Sequence, residues 1–157
     1  MKIKIKKANL SHFKIFQKLN NELFKYDAQF DPALNLDWPY KKIGIKYYQN
    51  ILTSKKSICF LAENEKEDVV GYIAGSITKK FSYRKGMYAE LDNIFILANY
   101  RGKGIGNKLV NAFLSWAKKK EIKRIYVSGY FKDKKAVNFY KKNGFKPIDL
   151  GLEMELQ

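Results

Sequence analysis

Apolar side chains recur along the chain with two different periods, and the period distinguishes predicted strands from predicted helices. Alternation of apolar and polar residues is typical of a strand with one buried face, whereas recurrence at every third or fourth position is typical of an amphipathic helix. Alternating or β-rich runs predict strands at residues 2–7, 57–62, 69–78, 87–97 and 124–127. Helical spacing predicts helices at residues 10–26, 37–51, 104–120 and 132–142. Residues 145–156 are expected to form a last extended segment or a hairpin.

The order of these elements indicates the fold class. One strand, two helices and three strands are followed by helices and strands in alternation, which is typical of an α/β domain with a mixed sheet. A chain of 157 residues has the size of one ordinary domain, and its pattern contains neither an internal repeat nor a linker. We therefore expect a single domain over residues 1–157, with a mixed central sheet flanked by about four helices.

A strong excess of positive charge changes the range of expected partners. The chain has 31 Lys and Arg residues against 15 Asp and Glu residues, which gives a formal net charge of +16 at pH 7. Such a balance favours an anionic partner, such as a phosphate-containing cofactor, a nucleic acid or a membrane surface. Because the basic residues concentrate in the last third of the chain, an anion site is expected there, although solvated lysines on helix faces account for part of the excess.

The cysteine count and the apolar runs limit the chemistry and the compartment. Cys59 is the only cysteine in the sequence, so an internal disulfide is impossible, a zinc cluster is excluded, and we expect no metal site. The first seven residues interleave lysine with isoleucine and lack the unbroken apolar stretch of a signal peptide. Without a run of about 18 consecutive apolar residues, the chain is expected to be a soluble, cytoplasmic protein that does not enter a membrane.

A glycine-rich turn at residues 101–106, with the sequence RGKGIG, follows a predicted strand and opens a predicted helix. Glycine lets the backbone turn sharply and approach a ligand, and the first N–H groups of a helix are free donors at the positive end of its dipole. The turn lacks the G-x-x-x-x-G-K-[ST] spacing of a nucleotide-hydrolysing loop, and its G-x-G-x-G spacing differs from the dinucleotide-binding fingerprint. It predicts a pyrophosphate cradle, although helix starts and packing turns also use glycine.

Three segments, taken together, resemble the GNAT superfamily of acetyl-CoA-dependent N-acetyltransferases. They are AELDNIFI at residues 89–96, YRGKGIG at residues 100–106 and FYKKNGF at residues 139–145. The last two occur at the separation that is typical of the family, and the resemblance extends over the whole order of predicted elements. It implies a GNAT-like fold and acetyl-CoA as cosubstrate.

The resemblance also implies how the cosubstrate is held. In the family, the strand at residues 87–97 splays away from the strand at residues 124–127, and pantetheine lies in the gap between them. Main-chain groups near the end of the first strand are expected to bond the acetyl carbonyl and the pantetheine amides, and the N–H groups of residues 102–106 to hold the pyrophosphate. The implied cofactor-binding residues are Ile94, Phe95, Ile96, Arg101, Gly102, Lys103, Gly104, Ile105, Gly106 and Asp133. Asp133 stands where many members have asparagine, so its side chain accepts a hydrogen bond but donates none when ionised.

Acetylation of an amine requires a base, because an alkylammonium group has a pKa of about 10 and no free lone pair. In a regular strand residues 90, 92, 94 and 96 share a face, so Glu90 and Asp92 are expected on the cofactor side. By resemblance Glu90 is the first candidate base and Asp92 the second; the alternative is that both bind a substrate cation or are solvated. The resemblance implies Tyr140 as the acid that protonates the leaving thiolate, and an ordinary packed aromatic is the alternative.

The acceptor is expected to be a primary amine on a small molecule, a peptide or a protein. In the family the acceptor pocket involves the loops that correspond to residues 26–40 and 79–86, and the candidate binding residues are Asp27, Phe30, Asp31 and Trp38. Two other function classes stay open. One is a basic nucleic-acid-binding module, although no arginine-rich or aromatic β-face motif accompanies the charge, and the other is a CoA-binding regulator without turnover. A homodimer is also considered.

Overall fold

The computed structural model describes residues 2–157; Met1, the first residue of the predicted domain, lies outside the described residues. In this part of the chain five strands form one sheet, and their order across the sheet is their order along the sequence. The strands are β1 (Lys4–Lys7), β2 (Ser57–Glu63), β3 (Val69–Thr78), β4 (Tyr88–Ile96) and β5 (Arg124–Tyr126). The helices are α1 (Phe13–Asp27), α2 (Lys42–Thr53), α3 (Ile105–Lys119) and α4 (Lys134–Lys142), and short 3-10 turns occupy Leu10–His12, Trp38–Tyr40 and Ala98–Tyr100.

The sheet is mixed, as the sequence predicted, and its parallel pair opens a gap. β1 to β4 are antiparallel neighbours, whereas β4 and β5 run parallel. These two strands pair from Tyr88 opposite Arg124 as far as Glu90 opposite Tyr126. β4 then continues to Ile96 without β5 alongside it. The carboxyl ends of β4 and β5 therefore diverge, which leaves room for a ligand between them.

Helices cover both faces of the sheet and bury two apolar clusters. On one face α3 buries Leu109 and Phe113 against the sheet. On the other face α1 and α2 bury Phe16 and Tyr48, and the Phe16 ring packs edge-on against Tyr72 of β3 at a centroid distance of 5.0 Å. The helical spacing of apolar residues places these side chains on one side of each helix, and a mixed sheet flanked by four helices is confirmed. None of the helices described over residues 2–157 has the length and apolar content needed to cross a membrane.

A β-bulge interrupts β4 at Asp92. Ala74 of β3 lies opposite Asn93, but the next residue of β3, Gly75, lies opposite Leu91, so Asp92 is an extra residue in β4. A bulge bends its strand and shifts the alternation of side chains by one position. Such features are common near functional sites, where they redirect a side chain.

The bulge overturns one expectation from the sequence, namely that residues 90, 92, 94 and 96 share a face. Ile94 and Ile96 pack on the α3 side of the sheet, whereas Phe95 packs in the cluster under α1 and α2. Asp92 also lies on the α1 and α2 side, because its carboxylate bonds to a side chain of α2. The prediction was wrong because period-two alternation applies only to a regular strand, and one extra residue moves the following side chains to the opposite faces.

Two segments differ from the predicted elements. The helix predicted at residues 37–51 is divided into a 3-10 turn and α2, with an extended Lys41 between them (ψ 158°). The Gln17 side chain donates to the Pro39 carbonyl at 2.8 Å, so that carbonyl is engaged outside the helix. Residues 145–156 form neither a strand of the sheet nor a hairpin in the described chain. Phe145 is partly buried, and the apolar side chains beyond it are exposed.

Candidate active site

A cavity of about 830 Å³ occupies the place where β4 and β5 diverge. Its walls come from the end of α1, the last residues of β4, the turn into α3, and the segment that leads from β5 into α4. Three stretches of the chain, residues 23–27, 92–107 and 128–140, therefore meet at the carboxyl end of the parallel pair. The cavity is lined by most of the predicted site residues: Asp27, Asp92, Ile94, Phe95, Ile96, Arg101, Gly102, Gly104, Ile105, Gly106, Asp133 and Tyr140.

The glycine turn forms one end of this cavity. Gly102 and Gly104 have φ values of +73° and +76°, in the left-handed region that favours glycine, and Gly104 is the N-cap of α3. The first intrahelical bond here runs from the Lys108 N–H to the Gly104 carbonyl at 3.2 Å. The N–H groups of the first helical turn therefore have no partner within the helix and lie at the positive end of its dipole, beside the cavity. This arrangement suits a diphosphate.

Gly106, within the first turn of α3, also lets α3 and α4 approach each other. A Cβ at this position would lie 2.8 Å from the Phe139 ring. Gly106→Ala is therefore expected to lower the melting temperature, with a loss of roughly 1–3 kcal/mol from overpacking. Gly129→Ala is the matched control, because its Cβ would make an ordinary contact 3.7 Å from the Tyr140 ring. Equal melting temperatures in the two variants would contradict the close packing of the helices.

The two basic residues of the turn behave differently. The Arg101 side chain lines the cavity, donates from Nε to the Ile96 carbonyl at 2.8 Å, and lies over the Tyr26 ring at 4.9 Å. Lys103 instead donates to the Asn99 carbonyl at 2.9 Å and is not among the described residues that line the cavity. The structure thus brings Arg101, but not Lys103, to the predicted anion site.

Main-chain groups of β4 face the gap beside the turn. The Leu97 N–H donates to the Val70 carbonyl at 2.9 Å, so the backbone of residue 97 faces β3. Because backbone groups alternate in direction along an antiparallel strand, those of Ile94 and Ile96 point away from β3 and into the gap. The Ile96 carbonyl is bonded to Arg101, which leaves the Ile94 carbonyl and both N–H groups toward the cavity.

The carboxyl group of Asp92 is held in the cavity wall by α2. The Tyr47 hydroxyl donates to Asp92 Oδ2 at 2.9 Å, and the same hydroxyl accepts from Asn93 Nδ2 at 3.3 Å. Burial raises the pKa of Asp92 to about 6; the Tyr47 hydrogen bond opposes this shift, and the charge of Glu90 adds to it. The neighbouring Asn93 Oδ1 is buried and has no hydrogen-bond partner among residues 2–157. Asp92 therefore offers a carboxylate of raised basicity, whereas the Asn93 oxygen is enclosed by the protein.

Glu90, the first candidate base, lies in a different environment. Its Oε1 is 3.3 Å from Lys80 Nζ, and the pair is partly exposed. Within the described residues, the cavity lining includes Asp92 but not Glu90. Glu90 sits at the last residue pair of β4 and β5, before the two strands diverge.

Tyr140, on α4, lines the same cavity as Asp92. Its ring packs edge-on against Phe139 and Phe145 at centroid distances of 5.5 and 5.7 Å. Burial raises the pKa of Tyr140, and the charges of Asp27 and Asp133 add to the increase, so the hydroxyl stays protonated at neutral pH. Asp133 is the N-cap of α4, where its Oδ1 accepts from the Ala136 N–H at 3.0 Å.

The four predicted acceptor residues are only partly brought together. Asp27 lines the cavity, and burial, together with Asp133 and Asp31, raises its pKa to about 6. Asp31 and Phe30 both contact Tyr130, which lines the cavity. The Tyr130 hydroxyl donates to Asp31 Oδ2 at 2.9 Å, and the Tyr130 ring stacks on the Phe30 ring at a centroid distance of 6.1 Å. The fourth, Trp38, packs against Phe24 and Tyr47 and is absent from the described lining of the cavity.

Sequence reasoning missed three of the polar residues that shape the site. Tyr47 lies within the helix predicted at residues 37–51, and its position there gives no sign that it bonds a residue 45 positions away. Asn93 was not assigned a role, because the bulge that turns it toward Tyr47 is invisible in the pattern. Tyr130 lies four residues beyond the end of β5, and an aromatic residue shortly after a strand beside the expected gap was the one available signal.

Comparisons with known proteins agree on the family. The model of the acetyltransferase (GNAT) family matches residues 20–145. The uncharacterized N-acetyltransferase MJ1207 of Methanocaldococcus jannaschii is 28% identical over 106 residues, which cover 68% of this chain and 47% of that protein. The chain spans less than half the length of the curated relatives it matches.

Solved structures show the same fold at low sequence identity. A putative acetyl transferase from Pyrococcus furiosus has a TM-score of 0.80 and 22% identity, and the match covers 99% of this chain and 100% of that chain. AAC(6')-Iy, solved in complex with the bisubstrate analog CoA-S-monomethyl-acetylneamine, has a TM-score of 0.75 and 17% identity, with 100% and 99% covered. With its sequence match extending over most of the domain, the chain belongs to the acetyltransferase (GNAT) family.

Proposed function

We propose that this chain is an acetyl-CoA-dependent N-acetyltransferase that moves the acetyl group directly to a primary amine. The observation that carries the proposal is that one cavity joins a helix start with free N–H donors to a buried carboxyl group and a protonated tyrosine. Family membership supports the acetyl donor. The fold likeness to AAC(6')-Iy, a protein solved with a CoA-containing bisubstrate analog, agrees with it.

The cosubstrate is proposed to bind along the gap between β4 and β5. The N–H groups of residues 102–106 hold its diphosphate, since free donors at a helix start favour an anion. The backbone of Ile94 and Ile96 bonds the pantetheine amides and the acetyl carbonyl, and Asp133 accepts from a pantetheine N–H. An N–H of Ile94 at the acetyl oxygen would stabilise the negative charge that develops there.

Asp92 is proposed as the base. Because its pKa is raised to about 6, it is ionised at neutral pH and still more basic than an ordinary aspartate. It takes a proton from the amine nitrogen as that nitrogen forms its bond to the acetyl carbon. Glu90 is engaged with Lys80 away from the cavity, which favours Asp92 over Glu90.

Tyr140 is proposed as the acid. As the carbon–sulfur bond breaks, the sulfur takes a proton from the Tyr140 hydroxyl, and the tyrosinate regains one from solvent or from the proton that Asp92 has accepted. Because its pKa is raised, the Tyr140 hydroxyl keeps this proton until the carbon–sulfur bond breaks. Thus the amine loses one proton, CoA leaves as the thiol, and both side chains return to their starting states.

The acceptor is proposed to be a primary amine of a small molecule, a peptide or a protein. Asp27 lines the cavity near α4, and Asp31 is tied to the cavity wall through Tyr130. These carboxylates attract a cation to the entrance of a protein that is otherwise strongly basic. They do not select among amine classes.

The Tyr47 hydroxyl is proposed to position Asp92 and to tune its pKa. Its hydrogen bond stabilises the carboxylate and thereby lowers the pKa of Asp92. Tyr47→Phe is therefore expected to raise that pKa, so the acidic limb of the pH–rate profile moves to higher pH. An unchanged midpoint, in a variant that keeps its melting temperature, would remove the tuning role of Tyr47.

Two measurements test the proposal against its rivals. Isothermal titration with acetyl-CoA is expected to show one site per chain, and a panel of amines is expected to include at least one that releases CoA thiol. Acetyl-CoA binding with no thiol release from any amine would favour a regulator without turnover. Salt-sensitive gel shifts of RNA or DNA, with no acetyl-CoA binding, would favour a nucleic-acid-binding module.

A further inference from the structure

The loop of residues 79–86, between β3 and β4, is fixed to the sheet by one aromatic side chain. Phe81 is only 5% exposed, and its ring packs against Tyr126 of β5 and Tyr88 of β4 at centroid distances of 4.8 and 5.0 Å. Backbone hydrogen bonds of 2.8 and 3.0 Å close two turns inside the loop. Because a buried ring and local hydrogen bonds hold the loop, Lys80, the residue before this ring, has a defined place.

The Lys80 ammonium group lies at the point where β4 and β5 begin to diverge. Its Nζ is 3.3 Å from Oε1 of Glu90 and 4.8 Å from the centroid of the Tyr126 ring, and these two partners form the last residue pair of the strands. Both partners face the α1 and α2 side of the sheet, because Leu91 and Ile125, their neighbours along the strands, pack on the α3 side. A positive charge is therefore held at the start of the gap.

The proposed base lies on the same face of β4. Asp92 follows Glu90 by two residues, which span about 6–7 Å of a strand, and it also lies on the α1 and α2 side. The charge of Glu90 contributes to the raised pKa of Asp92, so the two carboxyl groups are close enough to interact. An amine that reacts at Asp92 is thus separated from the Lys80 ammonium by the length of a short alkyl chain.

The Lys80 ammonium has donors to spare. A lysine ammonium has three N–H donors, and among residues 2–157 its Nζ hydrogen-bonds only Glu90, at a distance that is long for a charge-assisted bond. The Lys80 side chain is half-exposed, so a ligand can reach the remaining donors. The loop has no acidic residue, and its positive charge exceeds the negative charge of Glu90, which favours an anionic ligand group here. Its basic residues are Lys79, Lys80, Arg84 and Lys85.

We propose that the acceptor is an amine that also carries a carboxylate, and that Lys80 binds this carboxylate while the amine reacts at Asp92. This inference rests on the proposed N-acetyltransferase function and narrows its acceptor class. The ammonium end of such a molecule is attracted by Asp27 and Asp92, which line the cavity, and the carboxylate end by the Lys80 loop. Because two residues of β4 separate the two sites, several bonds separate the amine from the carboxylate. An ω-amino acid, or a peptide N-terminus followed by an acidic side chain, has this arrangement.

Matched acceptors test the proposal with the full chain. For amino acids the pair is ε-aminocaproate and its amide, and for peptides it is a C-terminally amidated tripeptide with aspartate or asparagine in second place. In one pair or both, kcat/KM for thiol release from acetyl-CoA is expected to be at least about 10-fold higher for the carboxylate member. The pair that shows the preference identifies the source of the carboxylate. A preference for the diamine cadaverine over ε-aminocaproate would overturn the proposal, since a second cation would have to replace Lys80 beside Glu90.

Variants of Lys80 separate its charge from other effects. Lys80→Met is expected to lose the preference within the pair, whereas Lys80→Arg is expected to retain it. Lys14→Met is the matched control, because Lys14 is an exposed residue in the first turn of α1, and the residues of α1 that line the cavity lie at its other end. The comparison is a ratio within a pair, so a change in the basicity of Asp92 affects both members equally. Melting temperatures check that each variant is folded.

The outcomes distinguish this inference from the function on which it rests. Equal kcat/KM values within both pairs, or a preference that survives Lys80→Met, would overturn the carboxylate site and leave the N-acetyltransferase function in place. Acetyl-CoA binding without thiol release from any amine would overturn both.

Discussion

Asp92→Asn is expected to reduce kcat for acetyl transfer by about 10²–10⁴-fold, the usual contribution of a positioned base. The amide has nearly the shape of the carboxylate and still accepts from the Tyr47 hydroxyl, but it cannot take a proton from the amine. Acetyl-CoA affinity, measured by titration calorimetry, should change little, because the diphosphate site is formed by the turn into α3. The melting temperature should not fall, since burial already disfavours the ionised carboxylate.

The pH dependence of the rate gives a second view of the same group. A carboxylate acts as a base only when it is ionised. In the wild-type protein kcat/KM is therefore expected to rise with pH through a midpoint near 6, the raised pKa of Asp92. The rise at this midpoint should be absent from the residual activity of Asp92→Asn.

Glu90→Gln is the matched control for the base, because it makes the same chemical change two residues away in the same strand. The Glu90 carboxylate pairs with Lys80 and lies outside the cavity lining described here, so a loss of less than about 10-fold is expected. If Glu90→Gln loses more activity than Asp92→Asn, the base assignment moves to Glu90.

Tyr140→Phe is expected to lower kcat by about 10²-fold, the lower end of the range for a positioned acid, because a thiol with a pKa of about 8.5 already leaves readily. The ring contacts with Phe139 and Phe145 are retained in the variant, so folding and acetyl-CoA binding should be preserved. The measurement is thiol release at saturating amine, together with calorimetric titration of acetyl-CoA.

Tyr130→Phe provides the control for the loss of a hydroxyl in the same cavity. Its hydroxyl bonds to Asp31, and no proton of the reaction passes through it in the proposed mechanism. This variant is expected to raise the KM for the amine more than it lowers kcat. If Tyr140→Phe is as active as the wild-type protein, Tyr140 is not the acid.

Local patterns predicted the glycine turn and the four helices because their causes are local. Left-handed backbone at Gly102 and Gly104 and the first free N–H groups of α3 depend on a few consecutive residues. The helices follow from apolar residues at helical spacing, and this spacing is set by the side chains themselves. The cavity accordingly lies beside the turn where the sequence predicted an anion site.

The base could not be chosen from the sequence because the choice depends on contacts over long distances. Asp92 lies in the cavity because a bulge opposite Gly75 turns it toward α2, where Tyr47 holds it. The alternation along β4 predicts the same face for Glu90 and Asp92. Their environments differ because Glu90 pairs with Lys80, whereas Asp92 accepts a hydrogen bond from Tyr47. Long-range contacts also keep a residue out of the site. Trp38 lies in a predicted acceptor loop, but its ring packs against Phe24 of α1 and Tyr47 of α2.

The central claim is that a diphosphate is held by the turn between β4 and α3. A crystal structure with bound acetyl-CoA tests it most directly. We predict diphosphate oxygens within hydrogen-bonding distance of the N–H groups of residues 102–106, with the thioester between Asp92 and Tyr140. A well-ordered acetyl-CoA molecule bound elsewhere, with this turn empty, would contradict the claim.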